Sequence, residues 1–269
     1  MVIIDNHVSD ANWCCSVDDG NGLWYTNNWP EDKFFDAWKG MAARFLNQPM
    51  VIGADLRNEL RPTFVEMEFR HPRWGSGDPK NDWHLAATRA AQEIQAINSN
   101  LLFIQGTYYA QYLWKVPEFS VVLSVPNKLV YAIHEYSWFH GGINFGIESE
   151  ETYQKYKDTL DHNWGFLVEE GTTYTAPVWV GEFGTNHNKE GLTYYFSSCL
   201  VRYMRENDLD FAYWPVDGTQ SRGDGRVFGA EETFGILNTL WNGVAYRPLY
   251  QIIASLISPL NFQLLILNK

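Results

Sequence analysis

The stretch that most constrains this chain is Val51-Ile52-Gly53-Ala54-Asp55-Leu56-Arg57-Asn58-Glu59-Leu60. It opens as an apolar run of strand type and ends in an amide followed by an acid. Two later stretches share the design. Leu129 to Tyr136 closes on His134, Glu135 and Tyr136, and Val178 to Gly184 carries Glu182. A strand that is apolar along its whole length is buried on both faces, as in a parallel sheet covered by helices. Polar residues at the C-terminal ends of such strands are where a (β/α) barrel builds its reaction site.

The rest of the chain fits that frame. Val2-Ile3-Ile4 leads to Asp5, Asn6 and His7. Leu101 to Gln105 leads to Tyr108 and Tyr109, and Asp210 to Tyr213 leads to Trp214. Helical spacing recurs between the strands. It links Phe34, Trp38, Met41 and Phe45, then Trp83, Ala86, Ala90, Ile94 and Ile97, then Tyr153, Tyr156, Leu160, Trp164 and Leu167, then Leu192, Phe196, Leu200 and Tyr203. A last helix is expected from Arg247 to Leu256, with Pro248 in its first turn. Pro62 to Pro79 reads as loop, and the connection from Gln105 to Leu129 shows no clear helix. A doubly wound open sheet calls for a Gly-rich phosphate turn after its first strand. Asn6-His7-Val8-Ser9 is no such turn, so the fold class is α/β of the (β/α)8 TIM-barrel type. One barrel domain is expected over 1–258 and an apolar tail over 259–269.

Composition excludes several functions. A formal net charge of −12 argues against nucleic acid, whose binding rests on Lys and Arg. No apolar run is long enough for a membrane span, and Met1-Val2-Ile3-Ile4 reads as strand, not as signal peptide. No cysteine or histidine spacing matches a zinc site, and no cofactor or metal is expected. Cys199 falls in a helical stripe as a small buried apolar residue. Cys14 and Cys15 are free thiols, or one of them pairs with a partner outside this chain. The aromatic share of 16% fits a Trp-rich core and a sugar-stacking cleft equally well.

Two acids at the ends of different strands suit glycosidic bond cleavage. One must hold a proton for the leaving oxygen and the other must stay ionised. Glu59 and Glu182 are the candidates. Strand alternation sends Glu135 to the side opposite His134 and Tyr136, towards helix or solvent. Arg57 is placed in a salt bridge without a catalytic role. Trp24, Trp29, Trp138 and Trp241 are candidate cleft aromatics.

Taken together, these motifs resemble glycoside hydrolase family 5, the cellulase family, in its plant and fungal members. Asp55 to Glu59 resembles the fourth-strand motif, which implies that Glu59 is the acid/base. Gly181-Glu182-Phe183-Gly184 resembles the seventh-strand motif, which implies that Glu182 is the nucleophile. His134-Glu135-Tyr136 resembles the His-x-Tyr of the sixth strand, and Ile4-Asp5-Asn6-His7 resembles the third, while Asn6-His7-Val8-Ser9 and Trp13-Cys14-Cys15 are similar to the plant and fungal members. Trp214 resembles the eighth-strand tryptophan that floors the cleaved sugar's site. The roles that follow give Asn58 the sugar 2-hydroxyl and Tyr136 a hydrogen bond to Glu182. His7 and His134 orient carboxylates or bind hydroxyls, although His7 also reads as a satisfied strand-end histidine. The resemblance implies a secreted, monomeric, retaining endo-β-1,4-glucanase acting on β-linked oligo- or polysaccharide. The alternative is an inactive carbohydrate-binding remnant. The likeness begins at the third strand, so strands 3–8 are present and strands 1–2 are missing. The arginine of the second strand has no counterpart. An open six-stranded sheet is therefore expected, with little activity from this chain alone.

Overall fold

The computed structural model describes residues 1–12, 14–188, 192–223 and 225–257. Trp13 and the expected tail 259–269 lie outside them. The strands expected from apolar runs are all present. They are β1 (Val2–Asp5), β2 (Val51–Asp55), β5 (Leu101–Gln105), β6 (Leu129–Glu135), β7 (Val178–Phe183) and β8 (Asp210–Tyr213). They form one sheet in the order β1-β2-β5-β6-β7-β8. The first three pairings are parallel, with one register shift in β1 between Val2 and Ile3. Asp5 faces Asp55, Asp55 faces Phe103, and Gln105 faces Ala132. Parallel register brings the C-terminal ends of neighbouring strands to one edge, so the polar residues after β1 and β2 emerge side by side. The architecture is an incomplete (β/α)8 barrel of six strands.

The chain divides into two units. The first comprises Met1–Ile133 with His162–Trp179, and the second His134–Asp161 with Val180–Lys269. Strands β6 and β7 each run from the first into the second.

In the first unit, α1 (Glu31–Arg44) buries Phe34, Phe35, Trp38 and Ala42. Helix α2 (Trp83–Gln95) buries Trp83, Ala86, Ala87, Ala90, Ala91 and Ile94. These are the expected stripes. The Asp82 carboxylate caps α2 by accepting from the Leu85 N–H and also takes the Gly75 and Gly77 N–H groups, so it satisfies donors that burial would otherwise strand. On the sheet, Phe103, Val130 and Ala132 form a cluster joined by Ile3, Leu101 and Trp179. Gly53 makes room for it: a Cβ there would lie 2.3 Å from the Phe103 ring.

In the second unit, α5 (Leu192–Glu206) buries Phe196, Cys199, Leu200, Tyr203 and Met204. The Phe196 ring meets Tyr156 of α4 (Glu150–Asn163), 5.8 Å between centroids, and Tyr153 and Leu160 of that helix are buried too. Cys199 is the buried apolar-type residue expected. Helix α6 (Arg247–Ala254) starts with Pro248 in its first turn.

Two segments differ from expectation. Part of the supposed loop after Glu59 is a hairpin, β3 (Thr63–Val65) against β4 (Glu68–Arg70). Its turn places Glu66 and Met67 at φ 52° and 62°. That backbone is usually supplied by Asn-Gly, so Glu-Met gave no turn signal. After β5 comes only a short turn, α3 (Thr107–Ala110), in which Tyr108, Tyr109 and Ala110 are left-handed.

Candidate active site

In the first unit the acid is built by three strand ends. Past β2 the backbone turns sharply, and Glu59 has φ 41°. Its side chain is buried, at 8% exposure. The Asn58 N–H donates to the Asn6 carbonyl at 3.0 Å, which ties the end of β2 to the end of β1. Gln105, at the end of β5, accepts the Glu59 N–H on Oε1 at 2.8 Å. Its Nε2 donates to Asp55 Oδ2 at 2.9 Å. This amide sets both the acid and the carboxylate before it, and sequence reasoning did not single it out. Its signal was an uncharged polar residue closing an apolar strand.

Asn58 Nδ2 lies 3.4 Å from His7 Nε2, and His7 Nδ1 lies 2.8 Å from Asp5 Oδ2. The histidine is thus oriented by a carboxylate on one side and meets the amide on the other. Cys14 and Cys15 are joined to each other in a disulfide, which corrects the expectation of free thiols or of a partner outside the chain; Cys15 Sγ lies 3.0 Å and Cys14 Sγ 3.8 Å from Glu59 Oε2.

Arg57 corrects an expectation. It is fully buried and makes no salt bridge among those of the described residues. Its guanidinium donates to the carbonyls of Leu23 (3.1 Å), His7 (2.5 Å) and Asn21 (2.5 Å). Five fixed donors suit several carbonyls, so Arg57 fastens the loop after β1 to β2. Beside the end of β1 is a cavity of about 400 Å³, lined by His7, Trp24, Trp29, Phe34 and Trp38 among others.

In the second unit the ends of β6 and β7 meet. The Tyr136 hydroxyl donates to Glu182 Oε2 at 2.8 Å. His134 Nδ1 lies 3.4 Å from the same oxygen. Both residues are buried, His134 at 2% and Tyr136 at 4% exposure. The Trp138 ring stacks on Tyr136, 4.3 Å between centroids and 12° from parallel. Trp214 follows β8, and its N–H donates to the Phe183 carbonyl at 2.8 Å. Gly184 permits this approach, because a Cβ there would lie 2.2 Å from the Trp214 carbonyl oxygen. Of the candidate cleft aromatics, Trp24 is buried and donates to Glu31. Trp29, Trp138 and Trp241 remain about half exposed, at 50%, 56% and 51%. Glu135 lies on the side of β6 away from Tyr136, as expected, but it is fully buried and does not reach solvent.

The profile of cellulase (glycosyl hydrolase family 5) matches residues 1–220. The chain belongs to glycosyl hydrolase family 5. An endoglucanase of Paenibacillus polymyxa is 34% identical over 217 residues, 72% of this chain and 49% of that protein. A glycosyl hydrolase 5 family protein of Chamaecyparis obtusa is 32% identical over 257 residues, 91% of this chain and 42% of its own length. The chain thus spans about half the length of these relatives. Among solved structures, the hyperthermophilic endocellulase of Pyrococcus horikoshii superposes with a TM-score of 0.75 at 26% identity, covering 95% of this chain and 69% of that one. The same endocellulase has been solved in complex with cellotetraose. The family 5 match spans every strand of the sheet. No helix among the described residues is long and apolar enough to cross a membrane.

Proposed function

We propose that this chain carries the catalytic groups of a retaining endo-β-1,4-glucanase. Glu182 is the nucleophile and Glu59 the acid/base. The observation that carries the reading is the double contact of Tyr136 and His134 with one oxygen of Glu182. A hydroxyl donor fixes that carboxylate and favours its anionic form.

In the first step a Glu182 oxygen attacks the anomeric carbon. The bond from that carbon to the leaving oxygen breaks, and Glu59 delivers its proton to that oxygen. A glycosyl ester on Glu182 results. In the second step Glu59, now a carboxylate, takes a proton from water. The water oxygen bonds to the anomeric carbon, the ester bond breaks, and Glu182 leaves as carboxylate. Asn58, oriented beside His7, takes the sugar 2-hydroxyl. His134 and His7 bind or orient neighbouring oxygens, and Trp214 lies under the cleaved sugar. The cellotetraose complex of the Pyrococcus horikoshii endocellulase supports a β-1,4-glucan as substrate. An extracellular site of action has support from the similar "Major extracellular endoglucanase" of Xanthomonas campestris. The enzyme acts as a monomer.

The test is hydrolysis of an aryl β-cellobioside by the purified chain, with the first-formed anomer read by NMR. The β-anomer is expected first, and Glu59→Gln and Glu182→Gln should each abolish turnover. An α-anomer would sink retention. A second reading, a sugar-binding piece without turnover, draws on the chain spanning only half of its relatives. Retardation in a β-glucan gel with no hydrolysis would favour it.

A further inference from the structure

Glu135 is a buried carboxylate that the reaction above does not use. It sits on β6 between His134 and Tyr136, the two residues that touch Glu182. Its Oε2 meets His140 Nε2 at 2.7 Å and accepts the Tyr156 hydroxyl at 3.0 Å. Tyr156, on α4, is fully buried. Burial first, and the Glu135 carboxylate second, hold its hydroxyl well above the ordinary phenol range, so it remains a donor. The His140 ring stands edge-on to Tyr156, 4.8 Å between centroids.

His140 closes the single turn Ser137–His140. The same turn carries Trp138, whose ring covers Tyr136. One carboxylate oxygen therefore fastens three parts together: the end of β6, the turn that lays Trp138 on Tyr136, and helix α4. Packing alone does not account for an acid here. A buried charge is costly, and an apolar side chain of similar volume would fill the place as well. What a buried carboxylate adds is direction, through two short hydrogen bonds at fixed angles.

We propose that Glu135 is the positioning residue of the nucleophile. With His140 and Tyr156 it sets the end of β6, so that Tyr136 and His134 converge on Glu182 and Trp138 holds the Tyr136 ring. This inference rests on the reading of Glu182 as nucleophile.

The experiment separates the two claims. A 2-deoxy-2-fluoro-β-cellobioside with a good leaving group traps the covalent intermediate, and mass spectrometry of the peptides locates the label. Label on Glu182 of the unaltered chain is expected. Its absence there would overturn the nucleophile, and the positioning role with it. Given that label, Glu135→Gln and Tyr156→Phe should slow labelling about tenfold or more, while the binding constant of the inactivator changes by less than about threefold. Tyr153→Phe is the structural control. It removes a buried hydroxyl on the same helix that donates to Glu206 and not to Glu135, and should lower the melting temperature without slowing labelling. Tyr156→Phe removes a single oxygen and keeps the test open if Glu135→Gln fails to fold. Labelling of a folded Tyr156→Phe variant at the unaltered rate would overturn the proposal. Equal slowing in Tyr153→Phe would do so too, by showing a general effect of packing.

Discussion

The Tyr136 hydroxyl donates to Glu182 Oε2 across 2.8 Å, joining residues 46 positions apart in sequence. A hydrogen bond to a charged acceptor contributes about 1.5–3 kcal/mol. Tyr136→Phe is therefore expected to lower kcat/KM roughly ten- to hundredfold. Steady-state kinetics on an aryl β-cellobioside measures this. A variant that kept full kcat/KM would show that the hydroxyl does not act on the nucleophile.

Gln105 holds the Glu59 N–H and the Asp55 carboxylate with one amide. Gln105→Leu keeps most of the volume and removes both partners. A buried donor or acceptor left unpaired costs about 1–3 kcal/mol. The variant should melt several degrees lower and lose turnover, because Glu59 is no longer held in its left-handed conformation. Calorimetry with parallel kinetics checks both effects. Unchanged kcat in a destabilised variant would confine Gln105 to a structural role.

Gly184 allows β7 and the end of β8 to approach, since a Cβ would fall 2.2 Å from the Trp214 carbonyl oxygen. Backbone cannot give way as a flexible side chain can. Gly184→Ala should cost about 1–3 kcal/mol, the usual penalty of overpacking. It should also displace Trp214, seen as a shift in tryptophan fluorescence. Identical melting and emission would refute the close approach.

Burial pushes the Cys199 thiol up to about 11 from its ordinary 9.0. The folded state thus keeps a proton that the unfolded chain releases earlier. This contribution is full below the unfolded value and is lost as pH rises through about 9 to 11. Cys199→Ala should therefore lose less stability than the unaltered chain between those pH values, as followed by urea denaturation. At pH 8 iodoacetamide should modify Cys199 in the unfolded chain and leave it intact in the folded one, read by peptide mass.

Sequence alone determined the strands and the residues at their ends. Apolar runs located all six strands of the sheet, and the two-residue period of β6 put His134 and Tyr136 on one side and Glu135 on the other. It also placed Glu59 and Glu182 at strand ends, because a side chain's face follows from its position along the strand. Only the tertiary structure decided what each of these groups meets. Gln105 finds Glu59 because β5 lies beside β2, a fact of strand order that no local pattern contains. Glu135 is buried and not solvated because a turn and a helix, contributed by His140 and Tyr156, close over it. Arg57 meets carbonyl oxygens and not an acid because the loop after β1 folds back across it. The hairpin at Glu66 and Met67 was illegible for a related reason: its pairing overrides the poor turn preference of both residues. Local periodicity states which way a group points. The partner that waits there depends on contacts between segments far apart in the chain.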